Sequence, residues 1–135
     1  MYTVSVQAHY DAAHFLPNYD GKCSRLHGHR YVVEAAVQSS DLDDSGIAFD
    51  FIDLKGLLRV LADELDHQNL NELPQFADTS TSAECQARYF HDALTDRLPR
   101  PLADGLVYVR VWESPTQWAQ YSRRPWMPQP GPPGT

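Results

Sequence analysis

The stretch Arg30-Tyr31-Val32-Val33-Glu34-Ala35-Ala36-Val37-Gln38 has the period-two alternation of a β-strand, with Tyr31, Val33, Ala35 and Val37 on one face and Glu34 and Gln38 on the other. Residues 2–9 alternate in the same way and supply a second strand, separated from the first by a loop, residues 16–25, rich in Pro, Asn, Asp, Gly and Lys. Asp50 is a fitting N-cap for a helix in which Phe51, Leu54, Leu58, Leu61 and Leu65 recur at spacings of three and four; Gly56 weakens it slightly. Thr81-Ser82-Ala83-Glu84 has the form of a capping box and introduces a second helix over residues 82–98, with Ala83, Ala87, Phe90 and Leu94 inward and Pro99 and Pro101 ending it. Leu106 to Glu113 and Trp118 to Tyr121 read as two more strands around a Ser114-Pro115-Thr116 turn. The order β, β, α, α, β, β predicts an α+β fold, with two helices across one face of a four-stranded antiparallel sheet.

The chain has 135 residues, enough for one well-cored domain, here expected over residues 1–122. Residues 123–135 hold five of the ten prolines and read as a disordered or extended tail. No apolar run approaches the roughly 20 residues of a membrane span, and the alternating N-terminus is unlike a secretory leader, so a cytoplasmic protein is expected. The net charge of −7 excludes a general nucleic-acid surface. That charge is local: residues 41–78 carry ten carboxylates against Lys55 and Arg59, which leaves the remainder slightly positive. Cys23 and Cys85, the two cysteines, do not make a disulfide framework.

Cys23-Ser24-Arg25-Leu26-His27-Gly28-His29 is the most informative segment for chemistry. Histidines at i and i+2 of a strand project to one side and can meet one ion. His14, just past the expected end of the first strand, can add a third imidazole if the two strands pair. Three neutral imidazoles favour zinc over calcium or magnesium and leave a fourth position free for a substrate oxygen. Cys23 could close that position as a fourth ligand, or stand beside it between Lys22 and Arg25 as a general base or nucleophile.

These residues stand in motifs that resemble one family. Ala12-Ala13-His14, Cys23-x-x-x-His27-Gly28-His29, Asp50-Phe51-x-x-Leu54-Lys55, Leu65-Asp66-His67-x-x-Leu70-Asn71 and Glu113 are similar, in order, to the 6-pyruvoyl-tetrahydropterin and 6-carboxytetrahydropterin synthase family. The spacing of Cys23 from the His-Gly-His resembles the bacterial 6-carboxy branch. The resemblance implies the tunnelling fold, in which sheets of several subunits close into a barrel with active sites at subunit interfaces. It also implies a 7,8-dihydroneopterin triphosphate substrate and a role in the synthesis of queuosine and related deazapurines.

By the same resemblance, His14, His27 and His29 hold zinc, and Cys23, Asp66 and His67 are catalytic. Asp66 and His67 are sequence neighbours, so a relay between them requires a curled loop or a second subunit; helix-end capping is the plainer reading of His67. Glu113 continues the Val107, Val109, Val111 face and would accept the N3–H and 2-amino group of a pterin. Ser82 and Glu84 lie where the family anchors the pterin, although a capping box also accounts for Glu84. Cys85 is expected to be structural. A 6-pyruvoyl-forming enzyme, a related side-chain lyase and a noncatalytic zinc-stabilised pterin-binding module are the alternatives.

Overall fold

β1 runs from Tyr2 to His14 and pairs antiparallel along its whole length with β2, His27–Ser39. The computed structural model describes residues 1–124. Both strands extend farther toward the histidines than the alternation over residues 2–9 and 30–38 predicts. Tyr10, Ala12 and His14 continue the buried face of β1, and His14 is inside the strand, not beyond it. The intervening polar Asp11 and the His-Gly-His sequence lack the apolar residues that mark a strand, but the ladder persists through them.

The remaining elements are α1 (Phe51–Leu65), β3 (Gln68–Asn69), α2 (Ala83–Arg97), α3 (Arg100–Gly105), β4 (Leu106–Ser114) and β5 (Gln117–Tyr121). The sheet order is β3-β1-β2-β4-β5, and β3 pairs parallel with β1 at Ala12 and Ala13. The expected four-stranded antiparallel sheet is therefore a five-stranded mixed one. Two residues cannot display an alternation, so β3 has no sequence signature; it forms because the chain leaving α1 lies along the free edge of β1, where the His67 N–H donates to the Asp11 carbonyl at 2.6 Å.

One sheet face carries the core. Val33, Ala35, Val37, Val109 and Val111 join Leu54, Leu58, Leu61 and Leu65 of α1 and Ala87, Phe90 and Leu94 of α2 in one core. Phe51, at the start of the predicted α1 stripe, is instead 50% exposed. Asp50 caps α1, its Oδ1 accepting from the Ile52 N–H at 2.9 Å. The α2 cap is one residue later than expected: Ser82 Oγ accepts from the Cys85 N–H at 3.2 Å, while the buried Thr81 hydroxyl is directed at Asn71, donating to its Oδ1 at 3.1 Å. Pro99 and Pro101 end α2 but open α3, since proline is tolerated in a first helical turn.

Of the expected tail, residues 125–135 lie outside the described residues, and Arg123 donates to Asp92 Oδ1 of α2 at 3.1 Å. Among the described residues, no helix is long and apolar enough to cross a membrane.

Candidate metal centre

The β1–β2 register sets His14 directly opposite His27 and Ala12 opposite His29, which places all three imidazoles on the core face at one end of the two strands. Their ligand atoms lie within 4.8 Å of one another, and His14 Nε2 and His27 Nε2 are 3.1 Å apart. Two imidazole nitrogens bound to one zinc at ~2.0 Å are separated by roughly 3.3 Å in a tetrahedral site, so the spacing fits such an ion.

The hydrogen bonds fix which atoms face inward. His14 Nδ1 is 2.8 Å from the Thr81 carbonyl and His27 Nδ1 is 2.7 Å from the Arg25 carbonyl. A carbonyl only accepts, so each Nδ1 carries the proton and, in the neutral ring, each Nε2 presents a lone pair. Burial pushes His14 and His29 below the ordinary histidine pKa and holds them neutral, the form that binds metal. Two lone pairs 3.1 Å apart repel, and a cation between them removes that repulsion. The donor set, the spacing and the carbonyl partners behind two of the rings therefore fit a zinc-type centre.

Glu113 stands on the same side. Its charge acts on His14, His29 and Tyr31, and it makes no hydrogen bond or ion pair among the described residues. The β4–β5 register passes from Trp112 opposite Trp118 to Ser114 opposite Gln117, so Glu113 is the extra residue of a β-bulge. Bulges re-aim side chains next to functional sites, and this one leaves a half-buried carboxylate free at the strand end.

Cys23 occupies a 3-10 turn, Lys22–Ser24, entered at Gly21 with φ 147°, a conformation that glycine supplies. The turn is tied back by the Leu16 N–H donating to the Cys23 carbonyl at 2.8 Å. Cys23 is half-buried, and its side chain is close enough to Tyr31 to act on it electrostatically. It lies outside the three-ligand cluster. Tyr31 itself is fully buried between Tyr10 and His29, with ring centroids 5.1 and 5.3 Å away.

Asp66 and His67 do meet, through a curled backbone. His67 adopts φ 59°, and its Nδ1 lies 2.8 Å from Asp66 Oδ2, while Asp66 Oδ1 accepts from the Asp11 N–H at 2.8 Å. The carboxylate holds His67 above, and the Asp11 N–H and His67 hold Asp66 below, their ordinary values. This pair sits at the β1 edge, beside Asp11 and Arg30, whose residues alternate with the metal-site histidines and stand on the opposite sheet face. Within one chain the structure does not bring Cys23 and His67 together. Arg30 is tied to Asp11 at 3.0 Å, whereas Lys22 and Arg25 flank Cys23.

Ser82 is taken up as the α2 cap, whereas Glu84 is exposed and its carboxylate makes no hydrogen bond among the described residues. Ser82 directly follows Thr81, whose carbonyl accepts from His14 Nδ1. Sequence reasoning missed the polar groups behind His14. Asn71 Oδ1 accepts from the Phe15 N–H at 3.0 Å and its Nδ2 donates to the Phe15 carbonyl at 3.0 Å, fixing the chain next to His14. Gln86 is fully buried within the α2 stripe. An amide amid Ala83, Ala87, Phe90 and Leu94 is the signal that could have revealed it.

Comparison with known proteins accords with this arrangement. The family model described as 6-pyruvoyl tetrahydropterin synthase matches residues 3–124. A Haemophilus influenzae protein named 6-carboxy-5,6,7,8-tetrahydropterin synthase is 31% identical, over 90% of this chain and 99% of its own. A Bacillus subtilis protein of the same name is 36% identical, over 84% of this chain and 80% of its own. Among solved structures, Caenorhabditis elegans 6-pyruvoyl tetrahydropterin synthase superposes with a TM-score of 0.81 at 26% identity, covering 91% of this chain and 96% of that one. With the family match spanning nearly all the described residues and the three-histidine cluster in place, this chain belongs to the 6-pyruvoyl tetrahydropterin synthase family.

Proposed function

We propose that this chain is a zinc-dependent cytoplasmic lyase that converts 7,8-dihydroneopterin triphosphate to 6-carboxytetrahydropterin, releasing acetaldehyde and triphosphate, in the synthesis of queuosine and related deazapurines. The observation that carries the reading is the convergence of His14 Nε2 and His27 Nε2 to 3.1 Å, with both Nδ1 atoms committed to carbonyls. The 6-carboxy names of the Haemophilus and Bacillus relatives favour that branch over the 6-pyruvoyl one.

His14, His27 and His29 hold the metal in this account. A bound zinc ion supplies Lewis-acid polarisation of the hydroxyl oxygens on the substrate side chain. Glu113, unpaired and on the same side, accepts the N3–H and 2-amino hydrogens of the pterin and fixes its edge. Ser82 and Glu84, beside Thr81, border the pterin. Cys23 takes and returns protons at the side-chain carbons. His67, whose pKa Asp66 raises, is the complementary acid. Because Asp66 and His67 lie away from Cys23 in one chain, a neighbouring copy supplies them in a homo-oligomeric barrel with active sites between subunits.

Incubating the zinc-loaded protein with 7,8-dihydroneopterin triphosphate and weighing the products tests the reading. 6-Carboxytetrahydropterin and acetaldehyde are expected; a pyruvoyl product alone rejects the branch. A Cys23→Ala protein is expected to retain zinc and lose turnover, and full turnover by that variant rejects the proton-transfer role. Zinc retention without turnover in either form is the result expected of a binding module.

A further inference from the structure

Gln86 lies on the buried face of α2 and is fully inaccessible. The Tyr10 hydroxyl donates to Gln86 Oε1 at 2.6 Å, and Gln86 Nε2 donates to the Thr81 carbonyl at 2.8 Å. That carbonyl is the one that accepts the His14 Nδ1 proton, also at 2.8 Å. The amide orientation follows from the partners: a carbonyl cannot face Oε1, so the nitrogen is directed at Thr81 and the oxygen at Tyr10.

An apolar side chain would suit the neighbouring Ala83, Ala87, Phe90 and Leu94 better, because burying an amide costs free energy that its hydrogen bonds only partly return. The amide is therefore informative. Thr81 immediately precedes the α2 cap, where no helical hydrogen bond orients its carbonyl, and Gln86 reaches back from the first turns of the helix to do so.

We infer that Gln86 is a positioning residue for the metal ligand His14, acting through the shared Thr81 carbonyl. The inference rests on the metal reading above. With Gln86 in place, the carbonyl lies along the His14 Nδ1–H direction, which fixes the ring and aims Nε2 at His27. Without it the carbonyl loses one of two donors, and the ring loses its fixed bearing. Partners of this kind behind a ligating histidine change metal affinity by roughly 10- to 100-fold.

The experiment uses the full chain. Q86M removes the amide but strands the Tyr10 hydroxyl, so it is paired with the double variant Y10F/Q86M, in which both buried polar partners become apolar and the fold is spared. Zinc affinity is read by competition with a chromophoric chelator, and ligand geometry by the visible spectrum of the cobalt(II) form. Leu94→Ala, a core change on the same helix, controls for general loosening. The double variant is expected to melt near the wild-type temperature, bind zinc about 10-fold more weakly and show an altered cobalt spectrum, while L94A melts lower with wild-type affinity. Wild-type affinity and spectrum in Y10F/Q86M would overturn the inference and leave the metal reading standing. Failure of the wild-type protein to bind zinc, or unchanged binding in His27→Ala, would overturn the metal reading itself and the inference with it.

Discussion

His14 and His27 face each other across the β1–β2 ladder with their Nε2 atoms 3.1 Å apart, each ring held from behind by a backbone carbonyl. A pair of opposed lone pairs at that distance stores repulsion that a bound cation converts to attraction, so metal and stability should be coupled. Zinc at 100 times its dissociation constant stabilises a fold by about 2.7 kcal/mol, which for a domain of this size raises Tm by on the order of 10 °C. Calorimetry before and after a strong chelator checks this. H27A should melt at one temperature in both conditions.

Glu113 is held free by the bulge at the end of β4. Replacing it with Gln removes the charge from a two-hydrogen-bond contact with a pterin edge, and the expected loss is about 2 kcal/mol, or roughly 30-fold in affinity. Fluorescence titration with a reduced pterin gives the dissociation constant, and zinc content should be unchanged. A variant that binds pterin normally would place the anchor elsewhere.

The Asp66 carboxylate holds the His67 proton, and the sign of its effect is definite. The folded-state His67 value is raised, so the pair stabilises fully below the unfolded histidine value of about 6.5 and loses that contribution as pH climbs through the raised one. For Asp66, whose value is lowered, the contribution is present above about 3.9 and lost as acid protonates the folded carboxylate. Imidazole proton shifts followed by NMR should titrate above 6.5 in the wild type and move down in Asp66→Asn.

Lys22 and Arg25 flank Cys23, whereas most of the acidic residues lie in residues 41–78. A local positive field there would aid capture of a triphosphate and would be screened by salt. Raising sodium chloride from about 50 to 300 mM should lower kcat/KM for the triphosphate. Inhibition by an uncharged pterin should respond little. Equal salt dependence for both ligands would assign the effect to something other than this field.

Much of this architecture is legible in the sequence because it depends on local periodicity. The alternation of Tyr31, Val33, Ala35 and Val37 and the stripe of Leu54, Leu58, Leu61 and Leu65 each mark the buried face of one element, and all eight residues are buried. The His-Gly-His spacing puts two imidazoles on one face for the same reason. The features that escaped depend on partners. The Glu113 bulge exists only as two residues against one on β5, and β3 exists only because an edge of β1 is free. The hydroxyl of Thr81 looked like a helix cap, but it donates to Asn71, ten residues away, and Ser82 is the residue that accepts from the helix. The bond from Tyr10 to Gln86 spans 76 residues and has no local signature. Cys23 and His67 remain apart in a single chain, which no spacing rule could have foretold.

The most direct measurement of the central claim is zinc K-edge X-ray absorption on the full, zinc-loaded chain. Three imidazole nitrogens at roughly 2.0 Å are expected, with a light oxygen donor completing the shell and no sulfur. A zinc–sulfur distance of about 2.3 Å would make Cys23 a ligand and close the position needed for substrate. That result, or zinc bound with fewer than three imidazoles, would contradict this expectation.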